Sequence, residues 1–576
     1  MPLKNILVEE GKSIVSPLSA TTAGISPEEF SDDLFFAKDR RIAAAILAIF
    51  IVVGFGLRIY NLGAESLGED ELNKLETVQE YRTNGLSGRN GEHPFLMKGL
   101  QTVSVSGTEK LNDLIELPAL KISEEAALRF PIALFGTFTT LLIFLLVSEL
   151  FGRGVGLVSA ALWAVEPAAI GFDRIAKEDS LVLFFFLLAS LCWIRGQTSA
   201  ERNKPRWPWY AWAAAAAFAA LMASKYYPHL FAIIFSYYAI FQGIPATKWR
   251  LGKPRVLALF VIMGVVFLIL NPTIVLPDTW REMLKFSSES RIAHDSYEFM
   301  GALYQNKMSA WLAGVPWTFY YVFIAVKSSV VVLVLFLVGL PLMFKRSLGD
   351  GRFYIFFWAF LWFMPFTFLG GKFTRYFSVA EPLVLITAAT GFCLSVKWLS
   401  SRLFGGSRVG PLVQTSLFLL MIAFPLWNSL SVTPSFRMYT NSLGGGMAAA
   451  GWYFPHDEFY DASTREIVAE IASRAKTGAV VASETPDLFD HYADEIGRED
   501  LIFFSLSDRA KVAALSTGDY VVLVNGRRYF SNSAYFDYLG RSASPTATTA
   551  ILGVTSASIY QLDERTLSGI RAIANE

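Results

Sequence analysis

The stretch AAAILAIFIVVGFGLRIYNLGAESLGEDELNK, residues 43–74, joins a long apolar run to a strongly acidic segment. Similar apolar runs follow at 260–272 (FVIMGVVFLILNP) and 328–344 (SSVVVLVLFLVGLPLMF). Runs of this length and composition are typical of helices that cross a bilayer. The sequence therefore predicts a polytopic α-helical membrane protein and excludes a cytosolic enzyme.

The overall composition agrees with that prediction. Of the 576 residues, 53% are hydrophobic and 17% are charged, whereas an ordinary globular domain carries roughly 25% charged residues. The 50 Lys and Arg residues balance the 50 Asp and Glu residues, so the net charge does not indicate a nucleic-acid partner. Cys192 and Cys393 lie in apolar runs, and these two thiols provide neither a disulfide framework nor a zinc site.

Hydropathy windows of about 19 residues predict about eleven membrane spans. They lie near 42–58, 128–148, 154–172, 180–195, 208–224, 229–245, 256–276, 322–344, 353–370, 378–397 and 411–431. The connections rich in Lys and Arg all fall on one side of this map. Because short cytoplasmic loops are enriched in these residues, we expect a cytoplasmic N-terminus and a C-terminus outside.

The map divides the chain into three regions. We expect a cytoplasmic tail at 1–41, a transmembrane domain at 42–432 with outer loops at 59–127 and 277–315, and an extracytoplasmic domain at 433–576. In the last region, three helical patterns alternate with three strand patterns, which predicts an α/β domain with a mainly parallel sheet. The helices are expected at 463–475, 487–496 and 508–515, and the strands at 479–483, 501–506 and 520–524.

The first outer loop carries the first candidate chemistry. Glu69, Asp70 and Glu71 follow the first span closely, and a partly desolvated carboxylate suits general-base work on a hydroxyl. The alternative is a solvated acidic cap on the helix that follows. In that helix Leu72, Leu75 and Val78 share one side, which predicts an amphipathic segment at the membrane surface.

Other polar clusters fall at the outer ends of later spans. In the first loop His93 and Lys98 can bind phosphate as charges or serve as ordinary interfacial anchors. The turn between the third and fourth spans has five charged residues of both signs, which favours a functional role over a plain turn. They are Asp173, Arg174, Lys177, Glu178 and Asp179. Later outer turns add Lys225, His294, Lys372, Arg375 and Tyr376.

Carboxylates thus come early in the chain and cations come late, on one face of the membrane. If the substrate is a sugar on a lipid phosphate, the leaving group is already good and needs no general acid. It requires cations that hold the phosphate and one base that activates the acceptor hydroxyl. The outer face supplies both kinds of residue.

Five motifs, in this order and on this face, resemble the glycosyltransferase-C superfamily. The similarity is greatest to the branch of dolichyl-phosphate-mannose protein mannosyltransferases and lipid A aminoarabinose transferases. The motifs are GEDEL (68–72), EHPFLMK (92–98), ALRFPIALFG (127–136), FDRIAKEDS (172–180) and KFTRYFSVAEP (372–382). The resemblance covers about residues 1–432 and implies a glycosyltransferase-C fold in a bacterial cytoplasmic (inner) membrane.

The resemblance also implies a reaction and a set of residue roles. A polyprenyl-phosphate-linked sugar donor would react with inversion at the outer face, and a protein, lipid or glycan would be the acceptor. By motif, Asp70 is the expected catalytic base, with Glu71 and Asp179 beside it. The expected phosphate ligands are Arg174, Lys372, Arg375, Lys98 and His93. The expected substrate pocket adds Glu69, Glu178, Lys225, His294 and Tyr376.

Several points stay open at the level of sequence. The loop HPFLMK lacks the second Pro usual in the mannosyltransferases, so the acceptor type is undetermined, and so is any need for a divalent metal. His456, Asp457 and Glu458 form either a lip over the pocket or the start of the C-terminal domain. A polytopic transporter or flippase is the main alternative function. A membrane-tethered binding module, whose working part is the C-terminal domain, is another.

Overall fold

A computed structural model describes residues 34–201, 204, 207–237, 240, 252–288, 294–404 and 409–575. Most of the expected cytoplasmic tail, and part of the span expected at 229–245, lie outside the described residues. The helices of the membrane part are α1 (Phe35–Lys38), α2 (Arg40–Ile59), α3 (Glu69–Thr83), α4 (Phe95–Asp113), α5 (Glu124–Phe151), α6 (Arg153–Val165), α7 (Pro167–Phe172), α8 (Asp179–Glu201), α9 (Trp207–Ser224), α10 (Phe231–Tyr237), α11 (Gly252–Leu270), α12 (Pro277–Ser288), α13 (Phe319–Lys327), α14 (Val330–Leu342), α15 (Gly351–Phe368), α16 (Glu381–Phe404) and α17 (Val409–Val432).

The C-terminal part has shorter elements. Its helices are α18 (Pro455–Phe459), α19 (Thr464–Arg474), α20 (Pro486–Glu495), α21 (Arg509–Ala513), α22 (Ser533–Ser542) and α23 (Glu564–Asn575). The strands of the protein are β1 (Ser296–Phe299), β2 (Ala302–Gln305), β3 (Val480–Ala482), β4 (Ile502–Phe504), β5 (Tyr520–Val524), β6 (Ala547–Ile551) and β7 (Val554–Gln561). The predicted class, a multi-pass helical membrane protein with a C-terminal α/β domain, is confirmed.

Within the described residues, five helical stretches are long and apolar enough to cross a membrane by length and composition. They are Arg40–Ile59, Pro118–Phe151, Asp179–Ala200, Glu381–Leu403 and Val409–Val432. Four shorter apolar helices lie at Arg153–Val165, Pro228–Tyr237, Arg255–Leu270 and Val330–Leu342. The number of about eleven spans stays a prediction.

Two of the predicted spans are broken helices. The span expected at 154–172 consists of α6 and α7, which meet at Glu166 because the ring of Pro167 starts a new helix. The span expected at 322–344 consists of α13 and α14, separated by two serines. The two breaks meet, since the backbone N–H of Ser329 donates to the Glu166 carboxylate at 2.6 Å.

The first outer helix, α3, does not use its apolar side as predicted. Leu72, Leu75 and Val78 are buried, and they belong to a core cluster that contains Ile467 and Val468 of the C-terminal domain. The amphipathic pattern was therefore correct, but the expected contact with the membrane surface was wrong. A protein core covers this face instead.

The C-terminal sheet has the strand order β4-β3-β5-β7-β6. Strands β3, β4 and β5 are parallel, as predicted, and the helices α19, α20 and α21, one before each strand, also form where the sequence placed them. The hairpin β6–β7 adds two antiparallel strands that the sequence analysis missed. The carboxyl end of β5 faces the membrane part, where backbone N–H groups of Phe530 and Ser531 donate to Asp295 at 3.0 and 2.9 Å.

The connection between the two parts is also anchored in the membrane part. Lys327, at the end of α13, donates to the backbone carbonyl of Tyr439 at 2.7 Å and forms an ion pair with Glu458. Tyr297 donates to Asp457 at 2.5 Å, and Asp457 also accepts from the backbone N–H of Thr374 at 2.8 Å. The segment 433–461 therefore packs onto the membrane domain, and the division at residue 433 stays a prediction.

Candidate active site

A cavity of about 740 Å³ lies where the outer loops, the outer helix ends and the C-terminal domain meet. Eight of the predicted site residues line it: Glu69, Asp70, His93, Glu178, Lys225, His294, Arg375 and Tyr376. Aromatic side chains of Tyr226, Tyr227 and Phe373 complete much of the wall. The structure thus brings together residues that lie more than 300 positions apart in the chain.

Asp70 lies in the first turn of α3 and faces two cations. Its carboxylate forms an ion pair with Lys177 and lies 3.7 Å from Nη2 of Arg375. Burial alone would raise the pKa of Asp70, but the charges of Lys177 and Arg375 outweigh it and hold the pKa well below the ordinary value. With 39% of its side chain still exposed, Asp70 is an ionised carboxylate open to the cavity.

Beside Asp70, a second group of charges surrounds Glu178. Its Oε1 lies 3.1 Å from Nζ of Lys74 and 3.4 Å from Nδ1 of His93. Burial lowers the pKa of His93 to about 3, and the neighbouring lysines act in the same direction. Burial thus favours the neutral imidazole, which still donates one hydrogen bond, and the role of His93 as a phosphate-binding charge stays a prediction.

The cationic side of the cavity is held by aromatic and acidic neighbours. The guanidinium of Arg375 lies 4.1 Å from the ring centre of Phe373, in cation–π geometry. Nζ of Lys225 lies 2.8 Å from Asp179 and 5.0 Å from the ring centre of Tyr376. Asp179 therefore reaches the cavity through Lys225, which it keeps charged and oriented.

Five predicted residues do not line the cavity: Glu71, Asp179, Arg174, Lys372 and Lys98. Glu71 is fully buried in an ion pair with Arg129 at 2.6 Å. Its two oxygens also accept the backbone N–H groups of Gly68 at 2.8 Å and Ala176 at 2.6 Å. These bonds cap α3 and connect it to the turn that carries Lys177. Glu71 therefore positions the residues of the site without lining the cavity.

The other cations of this group bind backbone carbonyls. Arg174 donates to carbonyls at the end of α2, including those of Arg58 at 2.8 Å and Tyr60 at 2.9 Å, which satisfies groups that the helix leaves unpaired. Lys98 donates to the carbonyl of Asn90 at 2.7 Å, and Lys372 to that of Val315 at 3.0 Å. All three side chains are occupied in holding loops, which is why they do not reach the cavity.

The sequence analysis did not select the contribution of the C-terminal domain. Arg527 follows strand β5 and lines the cavity. It donates to Glu69 at 2.8 Å and to His294 at 2.9 Å, and it forms an ion pair with Asp461. The signal was available, because ligand-binding residues of α/β domains gather at the carboxyl ends of parallel strands.

Arg527 also affects the ionisation of Glu69. Burial would raise the pKa of Glu69, but Arg527 and His294 lower it to about 2. Glu69 is therefore ionised and engaged, whereas Asp70 faces the open cavity. His456, whose position the sequence left open, lines the same cavity. The lip interpretation of segment 454–461 agrees with this placement.

Among the described residues, no three His, Cys, Asp or Glu side chains of the cavity have ligand atoms close enough to share a metal ion. The cavity is built instead for charge pairing. Three lysines, two arginines and four carboxylates line it, together with tyrosine rings. Such a site suits a ligand that carries both an anionic group and a ring with hydroxyl groups.

Residues 118–270 match the family model described as dolichyl-phosphate-mannose-protein mannosyltransferase. The family resemblance is confirmed. The matched stretch contains two of the five motifs, at 127–136 and 172–180, and it supplies Lys177, Glu178 and Lys225 to the cavity. The similarity to the protein mannosyltransferase branch of the glycosyltransferase-C superfamily thus rests on residues 118–270.

Comparison with solved structures gives several weaker similarities. ArnT from Cupriavidus metallidurans bound to undecaprenyl phosphate has 12% identity and a TM-score of 0.45, with 90% of this chain and 97% of that chain covered. The oligosaccharyltransferase AglB from Archaeoglobus fulgidus, in complex with an inhibitory peptide and a dolichol-phosphate, has 12% identity and a TM-score of 0.49, covering 85% and 70%. The arabinofuranosyltransferase AftD from Mycobacteria has 12% identity and a TM-score of 0.43, covering 91% and 40%. The comparison with curated protein sequences gives no match.

Proposed function

We propose that this protein is a membrane glycosyltransferase that moves a sugar from a polyprenyl-phosphate donor to an acceptor hydroxyl. The observation that carries the proposal is the position of Asp70, an ionised carboxylate at the cavity wall between Lys177 and Arg375. The family match supports the donor class, since its description names a dolichyl-phosphate sugar. The reaction takes place at the outer face of a bacterial cytoplasmic membrane, with the N-terminus in the cytoplasm.

The cations of the cavity suit the phosphate of such a donor. A sugar phosphodiester carries one negative charge, and its departure leaves a phosphate with a second charge. Lys177, Arg375 and Lys225 stand where they can bind the first charge and stabilise the second as it develops. Tyr226, Tyr227 and Tyr376 offer ring faces and hydroxyl groups to the sugar.

Asp70 then serves as the base of a one-step displacement. The acceptor oxygen attacks the anomeric carbon, the bond from that carbon to the phosphate oxygen breaks, and its electron pair leaves with the phosphate. Asp70 takes the proton of the attacking hydroxyl, and the anomeric configuration inverts. When the donor phosphate draws Lys177 and Arg375 to itself, the carboxylate loses two neutralising partners and becomes more basic at the moment it is needed.

The test uses radiolabelled polyprenyl-phosphate sugars, hexoses and pentoses, with a cell-envelope fraction as the source of acceptors. Asp70→Asn should abolish transfer while it retains binding of the donor. Glu80→Gln is the matched control, because Glu80 lies on the same helix and outside the cavity wall, and it should keep full transfer. Full activity in Asp70→Asn would remove Asp70 from the mechanism.

One observation favours the transporter alternative. The broken helices α6–α7 and α13–α14 face each other at the buried carboxylate of Glu166, and broken helices are common at transport sites. The charged cavity, however, lies at the loops and the C-terminal domain. Uptake of a labelled lipid-linked sugar into proteoliposomes that is unchanged in Asp70→Asn would favour transport over transfer.

A further inference from the structure

A second cluster of polar side chains lies where the C-terminal helix α20 packs against the first turn of α5. The contact is fixed by Tyr492, whose hydroxyl accepts from the backbone N–H of Leu67 at 2.7 Å and donates to Glu125 at 3.0 Å. Arg465 forms an ion pair with the same Glu125. These contacts therefore hold the two helices in a defined relative position.

Next to this anchor stand Glu124, His491 and Glu495. Their side-chain ligand atoms, one per residue, all lie within 4.8 Å of one another. His491 and Glu495 are four residues apart on α20 and so share one face of the helix, with Nε2 and Oε1 separated by 3.6 Å. Glu124 comes from the membrane part of the chain. The three residues thus converge from two regions that the anchor holds together.

The polar side-chain atoms of this cluster have few hydrogen-bond or ion-pair partners among the described residues. Nε2 of His491 is shielded from solvent and has no hydrogen-bond partner among the described residues. Within the described ranges, the side-chain hydrogen bond to Glu124 comes from the amide of Gln79, at the long distance of 3.5 Å. In the described part of the chain, no Lys or Arg forms an ion pair with Glu124 or Glu495.

The residues around this cluster carry mainly negative charge. Helix α20 carries Asp487, Asp490, Asp494 and Glu495 and has no Lys or Arg in its sequence. It faces the acidic first turn of α5, which begins Glu124–Glu125. Arg465, the cation at this contact, is already paired with Glu125. Glu124 and Glu495 therefore meet at this interface with no Lys or Arg paired to either among the described residues, and a cation that joins them would be favourable.

We propose that Glu124, His491 and Glu495 bind a zinc ion that links the C-terminal domain to the membrane domain. Zinc accepts both imidazole and carboxylate ligands, and an imidazole ligand disfavours Mg²⁺ or Ca²⁺, which prefer oxygen. Tetrahedral zinc places its ligand atoms roughly 3.3–3.5 Å apart, so the glutamate side chains, whose ligand atoms lie within 4.8 Å of one another and of the imidazole, must rotate inward to close the site. Water completes the coordination. The proposal is independent of the transfer reaction.

The test measures zinc on the full-length protein in detergent, with no use of activity. The protein is stripped with EDTA, incubated with ZnCl₂ and desalted, and the retained zinc per chain is measured by atomic emission. The wild type should retain one zinc ion that His491→Ala, Glu495→Gln and Glu124→Gln each lose. Zinc should also raise the Tm of the wild type and leave that of the three variants unchanged. Asp490→Asn, an exposed carboxylate of the same helix, is the matched control and should behave as the wild type.

Two results would overturn the proposal. One is a wild type that retains no zinc, and the other is a His491→Ala variant that retains as much zinc as the wild type. The Tm of each variant in EDTA reports whether it is folded. Because the ligands come from two regions, a loss of zinc in both Glu124→Gln and His491→Ala with unchanged EDTA Tm values cannot arise from local damage to one helix.

Discussion

Nη1 of Arg527, in the C-terminal domain, lies 2.8 Å from Oε2 of Glu69, at the start of the first outer helix. The same guanidinium is paired with Asp461, which is buried. The C-terminal domain therefore completes the wall of the cavity rather than standing beside it. This relationship argues against a separate binding module and leads to the first prediction.

Arg527→Ala should reduce sugar transfer by about tenfold or more, because Glu69 loses its position and Asp461 is left as a buried unpaired charge, an arrangement that typically costs about 3–5 kcal/mol. The measurements are the transfer rate and Tm. Arg528→Ala is the control, since Arg528 does not line the cavity and pairs with Asp537, which is 53% exposed, and with Glu298 at 3.6 Å. Exposed pairs contribute about 1 kcal/mol or less. Equal transfer rates in the two variants would contradict a role for Arg527 in the site.

Donor binding should weaken as the pH rises through about 8. Burial lowers the pKa of Lys177 to about 8, although Asp70 opposes the shift. Above that pH the free enzyme loses the ammonium charge that binds phosphate, while the donor phosphodiester keeps its charge unchanged. The Kd for a polyprenyl-phosphate sugar, measured between about pH 6.5 and 9.5, should rise in the wild type. It should stay nearly flat in Lys177→Arg, because a guanidinium remains protonated throughout.

A change at Glu71 tests whether this residue is structural or catalytic. Glu71→Gln leaves Arg129 as a buried charge without its carboxylate, so we expect a loss of stability of about 3–5 kcal/mol, seen as a lower Tm and yield. Glu76→Gln is the control. It breaks the ion pair with Arg89, whose side chain is 47% exposed while that of Glu76 is 37% exposed, and it should lower the free energy of unfolding by about 1 kcal/mol or less. A Glu71→Gln protein with the Tm of the wild type and no transfer would restore the catalytic role that the motif implied.

Close packing at Gly136 makes a sharper test of the fold. A Cβ atom added there would lie 2.1 Å from Cγ of Asp173, whose carboxylate is bound to buried Arg58 at 2.8 Å. Gly136→Ala should therefore lower Tm, although alanine favours a helix by about 1 kcal/mol. Gly107→Ala is the matched control in α4, where no atom lies within 4 Å, and it should be neutral or slightly stabilising. Similar Tm values in both variants would contradict the packing.

Much of the fold follows from local sequence. Apolar runs predicted helices such as α2 and α17, and the alternation after residue 461 predicted β3, β4 and β5. Tertiary partners were harder, because a pattern shows that a face is buried and not what buries it. Leu75 and Val78 have the spacing of a membrane-surface helix and pack instead with Ile467. The hairpin β6–β7 was missed, since TATTAI (546–551) has little apolar alternation.

In the site, too, the sequence predicted which residues come near one another better than it predicted what their side chains contact. Motif order placed Asp70 and Arg375 on the same predicted face of the membrane, and both line the cavity. It did not separate residues that face the cavity from those that support it. Arg174 and Lys372 have the charge of phosphate ligands, and their side chains are occupied by backbone carbonyls. Rotamer direction and local hydrogen bonding decide such cases, and neither is visible in composition or spacing.

Because Arg527 lies late in the chain, the cavity is completed only near the end of synthesis. Arg527 is made 458 residues after Glu69, and at about 5–20 residues per second a ribosome needs roughly 20–90 s to cover that distance. During this interval the nascent chain acquires Lys177 and Arg375 beside Asp70 but still lacks the side chain that fixes Glu69. A chain that stops before residue 527 thus has an incomplete cavity, so that premature termination yields a protein without a finished site.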